Sequence, residues 1–240
     1  MICPDVHRPY HDKRAWALFL RVAKAVKPVH LVCIGDFADF YKVSAHSKDP
    51  SRILTFDDEL ADVNAGLDQL DALHATHKLF IEGNHEDRLR RYLQDKAPEL
   101  YGVVGADTLF HLKRRQWQYI PYKSDTRLGK LYLTHDVGTA GRYATHRALD
   151  VYQHSIITGH THRMGFVVEG NAVAEFKLSA SFGWLGDRAA VDYMQRANVN
   201  KNWALGFGVG YLHPASGVAY LTPVPIINYT VVVNGKFYEG

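Results

Sequence analysis

Cysteine is scarce in this chain: two residues in 240, Cys3 and Cys33. Two cysteines do not support a disulfide framework or a thiolate-rich structural zinc site. Both lie in short apolar stretches and are expected as reduced, buried small hydrophobes. Long apolar runs are also missing. No segment approaches the roughly 18 residues that span a bilayer, so no membrane association is expected. Met1-Ile2-Cys3-Pro4 lacks the basic and apolar regions of a signal peptide, which points to a cytoplasmic protein. There is little excess charge. A formal +3, from 28 basic and 25 acidic residues, suits a phosphate-bearing substrate without demanding nucleic acid. No repeat, low-complexity tract or linker interrupts the chain, and its length suits one domain over 1–240.

Histidine, by contrast, is abundant, with 14 residues, many beside Gly, Asp, Asn or Thr. That placement favours loops, where ligands and catalytic groups sit. Helical spacing of Ala15, Leu18, Phe19, Val22 and Val26 predicts a helix over 10–26, ended by Pro28. The apolar run 29–34 reads as a buried strand. Thr55, with Asp58 three residues on, signals a capped helix whose stripe is Phe56, Leu60, Val63, Leu67 and Leu70. Strands are expected at 78–81, 116–122, 130–134 and 155–158, and helices at 86–96 and 142–152. The stretch 99–115 gives no clear pattern. From 166 onward, β-branched and aromatic residues between Gly, Pro and Asn predict mostly strand. Strands alternating with helices and then dominating predict an α/β architecture of layered sheets.

The chemistry-bearing residues fall where strands run into loops. They are Asp5-Val6-His7, Gly35-Asp36-Phe37-Ala38-Asp39, Gly83-Asn84-His85-Glu86, Thr134-His135 and Gly159-His160-Thr161-His162. The carboxyl ends of strands in an open α/β sheet line a common crevice, so five such clusters can converge. Carboxylates, imidazoles and one amide oxygen suit manganese, iron, zinc, nickel or cobalt. The glycines beside three of the ligands allow sharp turns and an open pocket.

This ordered set resembles the calcineurin-like metallophosphoesterase superfamily, over Asp5 to His162, about two thirds of the chain. Gly-Asn-His-Glu-Asp-Arg and the later Gly-Trp-Leu-Gly-Asp and Asn-Trp segments resemble phage and bacterial members. The resemblance implies a four-layered αββα sandwich, two mixed β-sheets flanked by helices, with the C-terminal third supplying the second sheet. It implies two divalent metal ions, manganese foremost. Asp5, His7, Asp36 and His162 would hold the first. Asp36, Asn84, His135 and His160 would hold the second, with Asp36 bridging. Two cations about 3.5–4 Å apart acidify a bridging water and clamp an in-line displacement. His85 is the candidate general acid and Asp39 its orienting carboxylate. Arg88 and Arg163 are candidate substrate-phosphate contacts. Glu86 reads as a supporting or helix-start carboxylate rather than a ligand.

Three features depart from the family pattern. Only four residues precede Asp5, so either the first strand is short or this sequence begins inside the natural one. His135 is followed by Asp136 rather than Gly, and Asp136 could orient a ligand. Ser179-Ala180-Ser181-Phe182-Gly183 stands where Asn-Pro-Gly is usual, so that wall of the pocket should differ. The expected activity is hydrolysis of phosphate esters, diesters first. A DNA or RNA nuclease and a phosphomonoesterase or protein phosphatase are the alternatives. A scaffold with a degraded site is disfavoured because every ligand type is retained.

Overall fold

The structure is a computed structural model that describes residues 1–173, 175–190 and 202–240. Its first half alternates: β1 (Ile2–Cys3), α1 (Lys13–Val26), β2 (His30–Cys33), α2 (Phe56–Asp71), β3 (His77–Ile81), α3 (Asp87–Lys96), the single-turn α4 (Ala106–Leu109) and β4 (Trp117–Ile120). Then come β5 (Thr126–Leu128), β6 (Leu131–Leu133), α5 (Ala144–Tyr152), β7 (Ile156–Ile157), β8 (Met164–Gly170) and β9 (Phe176–Phe182). β10 (Gly206–Leu212), β11 (Ala219–Pro225), β12 (Thr230–Val233) and β13 (Lys236–Glu239) complete the chain.

Two mixed sheets result, ordered β11-β10-β1-β2-β3-β4 and β5-β6-β7-β9-β8, with β12 and β13 as a separate hairpin. Strands β1 to β4 run parallel, as do β6, β7 and β9. Parallel strands need both faces covered, and side-chain alternation shows how this is done. Ile2, Val32, Ile34, Leu79 and Ile81 pack toward Leu131, Leu133, Ile157, Leu178 and Phe182 of the other sheet. Their neighbours Cys3, Leu31, Cys33 and Phe80 join the core under α1 and α2. On α1, Leu18, Phe19 and Val22 are fully buried. Each stabilises the fold by about 1.5–3 kcal/mol relative to exposure. The buried stripe of α5 includes Ala148 and Leu149, and this helix packs on β8 and β9. The layers are therefore helices, sheet, sheet and helix, the expected sandwich.

Local signals decide the ends of the elements. The Asp12 carboxylate accepts from the amides of Arg14 and Ala15, so α1 starts three residues later than Tyr10. The predicted capping box of Thr55 and Asp58 forms. β1 has two residues.

One expectation is corrected. The C-terminal third does not supply only the second sheet: β8 and β9 join it, but β10 and β11 extend the first sheet beyond β1. The short β1 gains a second partner in this way, since Ile2 pairs with Gly208 as well as Val32. Within the strand-rich stretch after 166, residues 191–201 lie outside the described residues. Cys3 and Cys33 are free and buried on adjacent strands. Among the described residues no helix is long and apolar enough to cross a membrane.

Candidate metal centre

All five motifs lie just past a strand end. Asp5 follows β1, Asp36 follows β2, Asn84 follows β3, His135 follows β6 and His160 follows β7. Backbone hydrogen bonds then tie these loops together. The amides of Val6 and His7 both donate to the Asp36 carbonyl at 2.9 Å, and the Gly159 amide donates to the His135 carbonyl at 2.9 Å. Glu86 binds two loops at once. Its carboxylate accepts from the Asp36 and Ala38 amides (3.0 and 2.8 Å) and from the Gly83 amide (2.8 Å). Burial, followed by the negative charge of Asp36, pushes its pKa up to about 8.

Two groups of ligand atoms result, each with its atoms within 4.8 Å of one another. One is Asp5, His7, Asp36 and His162; the other is Asp36, His135 and His160. Asn84 joins the second group, its Oδ1 lying 3.1 Å from His135 Nε2 and 2.7 Å from His160 Nδ1. Asp36 belongs to both groups. The seven residues named as ligands in the sequence therefore lie together in these two groups. The first group is deeply buried, while Asn84 and His160 are partly open to solvent.

The surroundings press these side chains inward. At Gly35, φ is +105° and an added Cβ would lie 2.2 Å from His135 Nδ1. A Cβ on Gly159 would sit 2.6 Å from Asp5 Oδ1, and one on Gly83 2.2 Å from Asp36 Oδ1. Gly35 is needed for its backbone angle, the other two for space. His7, Asp36, His160 and His162 all have left-handed φ, between 48° and 64°. His and Asp tolerate that region better than most residues, and local strain of this kind gathers at functional sites.

The electrostatics ask for positive charge. His135 Nδ1 donates to the Ile34 carbonyl at 2.8 Å, which turns Nε2 toward Asp36 Oδ2 at 3.3 Å. Burial lowers the His135 pKa, but the charge and hydrogen bond of Asp36 and then Asp5 outweigh it and push it up to about 10. Burial raises Asp5 to about 6 against the pull of His135. Neither Asp5 carboxylate oxygen has a hydrogen-bond partner among the described residues, and neither does His162 Nδ1. Buried carboxylate oxygens without partners are costly unless a cation meets them. With its N and O donors, the set fits one or two divalent ions of the manganese-to-zinc series.

His85 and Asp39 form a third group with His7. His85 Nδ1 lies 3.0 Å from the Asp39 carbonyl oxygen, closer than the 3.4 Å to its carboxylate. That carboxylate is shared, lying also 3.3 Å from His7 Nδ1 and 3.2 Å from Arg88 Nη1. Burial favours the neutral acid, yet His85, His7 and Arg88 hold Asp39 far below the usual carboxylate range. Arg88 Nη2 sits 2.9 Å from His85 Nε2. Arg163 points to a different place: Nε donates to Asn202 Oδ1 at 3.2 Å, and Nη1 to the carbonyls of Ala140 and Thr161. Asp136 accepts from the Tyr122 hydroxyl at 2.7 Å and the Gly138 amide at 2.7 Å, so its carboxylate is engaged away from His135.

Among solved structures, the crystal structure of Chaetomium thermophilum Vps29 is similar at 10% identity and a TM-score of 0.46, over 99% of this chain and 90% of that one. No protein-family model matches the chain. No match is found among curated proteins.

Sequence reasoning missed the aromatic wall. Trp184, fully buried, stacks on His162 with centroids 4.8 Å apart and planes at 12°. Trp203 meets the same ring edge-on at 4.4 Å. Gly-Trp-Leu-Gly-Asp was visible as a motif, but no periodicity links Trp184 to a histidine 22 positions earlier.

Proposed function

We propose that this protein is a binuclear metal-dependent phosphoesterase of the calcineurin-like type, acting on phosphodiesters. The observation that carries the reading is the convergence of Asp5, His7, His162, Asn84, His135 and His160 on the shared carboxylate of Asp36. Asp5, His7, Asp36 and His162 would hold one cation, and Asp36, Asn84, His135 and His160 the other. Bound there, the two ions neutralise the phosphoryl oxygens and acidify the attacking water.

The remaining work falls to the chain. Asp36 accepts the His85 amide at 2.8 Å, which keeps the imidazole beside the bridging carboxylate. His85 Nδ1–H donates to the Asp39 carbonyl, leaving Nε2 as the atom that carries a proton to the leaving oxygen. Arg88 Nη2 donates to that atom at 2.9 Å, so Nε2 takes up a proton from solvent only once the guanidinium has left it. An anionic ester draws the guanidinium onto its own oxygens and so uncovers Nε2. Asp39 anchors both residues.

The test compares a chromogenic phosphodiester, a phosphomonoester and single-stranded DNA, with Mn²⁺ and after chelation. Chelator-sensitive diester hydrolysis that Asp36→Asn abolishes supports the reading. Preference for the monoester or for DNA moves the assignment to that substrate class. No turnover on any of the three overturns it.

A further inference from the structure

A cavity of about 280 Å³ adjoins the segment that carries His160 and His162. It is lined by Arg142, Thr145, Thr161, Arg163, Ser181 and Asn202, with no carboxylate among its described lining residues. Thr161 lies between the two candidate ligands in the chain, so cavity and metal centre share a wall. The cavity also receives the first turn of α5. No side chain caps that helix and no acidic residue sits in its first turn. The Ala144 amide donates to the Gly141 carbonyl at 3.2 Å, and the partial positive charge of this helix end lies at the cavity.

A second observation points to a ligand. Thr145 is 7% exposed, yet its hydroxyl has no hydrogen-bond partner among the described residues. Opposite it is Gly165, where an added Cβ would lie 2.6 Å from the Thr145 methyl and 2.9 Å from Oγ1. The bare glycine thus gives the Thr145 side chain room to sit at the cavity wall. The side chain is enclosed while its oxygen stays open to the cavity, so an acceptor entering there meets an available donor. Two guanidinium groups flank the opening. Arg163 is pinned by Asn202 and the Thr161 carbonyl, while Arg142 is exposed and forms no ion pair among the described residues. Planar guanidinium donors, a hydroxyl and helix N–H groups approaching from different sides match the several acceptor oxygens of a tetrahedral anion.

We propose that this cavity is an oxyanion site for a phosphate group other than the one cleaved at the metal centre. The group comes either from a second phosphate on the substrate or from free phosphate. A second substrate phosphate as the source rests on the proposed phosphoesterase reading; the oxyanion site itself does not, because none of its donors is a candidate metal ligand.

Calorimetric titration of the chelator-treated protein tests it, with inorganic phosphate, thymidine 5′-monophosphate and thymidine 3′,5′-bisphosphate as probes. Arg142→Ala and Thr145→Val should each weaken the phosphate that binds by about tenfold, the loss expected for one charged or buried hydrogen bond. Gly165→Ala should do the same by displacing the Thr145 side chain. Melting temperatures of the variants separate lost binding from lost folding. A bisphosphate that outcompetes both other probes, and loses its advantage in Arg142→Ala, assigns the site to a second substrate phosphate. Inorganic phosphate binding as tightly as the bisphosphate assigns it to free phosphate. No binding by the unaltered protein, or equal binding by all variants, overturns the proposal. Chelated protein turns nothing over, so the result stands whether or not the metal-loaded protein hydrolyses esters.

Discussion

The Nε2 atoms of His7 and His162 face each other 2.9 Å apart, with Asp5 Oδ2 3.1 Å from the latter. Two imidazole lone pairs cannot meet at that distance without a proton or a cation between them. A proton satisfies only the pair, whereas a divalent ion also satisfies the unpartnered Asp5 oxygens. Adding Mn²⁺ to chelator-treated protein should therefore raise its melting temperature. At a hundredfold excess over Kd the stabilisation is about 2.7 kcal/mol. His162→Ala should remove most of that shift. Asp136→Asn should keep it, because that carboxylate is engaged with Tyr122. An unchanged melting temperature in the unaltered protein would exclude the site as a metal binder. Affinity should also fall as pH drops, because the ion competes with protons for these ligands.

The environment of His85 makes a kinetic prediction. Its Nδ1 is committed to the Asp39 carbonyl, so only Nε2 can serve the leaving oxygen. General acid catalysis contributes typically about 10²–10⁴-fold, and most where the leaving group is poor. His85→Ala should cost at least about a hundredfold in kcat on an alkyl phosphodiester and much less on a nitrophenyl one. Arg88→Ala should raise KM on both. Equal losses of kcat on the two leaving groups after His85→Ala would remove it as the acid.

Packing and backbone strain are separable at two glycines. Gly35 has φ of +105°, and its added Cβ would meet His135 Nδ1 at 2.2 Å and Gly83 Cα at 2.9 Å. Gly138 has φ of +78° with nothing within 4 Å. Gly138→Ala should cost only the backbone term, about 1 kcal/mol. Gly35→Ala adds a steric clash and should cost at least about 3 kcal/mol while weakening metal binding. Urea unfolding in chelator compares them. Similar costs at the two positions would mean that His135 moves aside freely.

Much of this was legible in the sequence, because each motif is a local object. A strand end followed by Gly and a ligand needs no knowledge of the distant chain, and so all seven ligand candidates could be named beforehand. What escaped depends on non-local pairing. The alternation in 206–225 announces strands but not their partner, and β10 and β11 went to the first sheet. Thr126–Leu128 is too short for its pattern to register, yet it forms β5 on the edge of the second sheet. Asp39 was read as a carboxylate acting on His85, but its backbone carbonyl makes the shorter contact, and no residue-type argument reveals that. Arg163 adjoins a ligand in sequence but lies on the wall of the neighbouring cavity, held there by Asn202.

A buried acid away from the ligand set supplies a pH test. Glu59 on α2 is fully buried. It accepts the Tyr41 amide at 3.1 Å through Oε1, while Oε2 has no partner among the described residues. Burial, then the nearby Asp39 charge, raises its pKa to about 7, above the ordinary carboxylate range. The folded state therefore favours the neutral acid more than the unfolded chain does. That contribution is fully present below the unfolded pKa and is lost as pH rises through about 7. Glu59→Gln keeps the acceptor for Tyr41 and never ionises. The variant should match the unaltered protein near pH 4–5 and exceed it at pH 8 by on the order of 2–3 kcal/mol. Urea unfolding of both proteins at the two pH values, in chelator, measures the difference. A gap that stays constant between them would mean that Glu59 ionises in the fold as easily as in water, and that its burial carries no electrostatic cost.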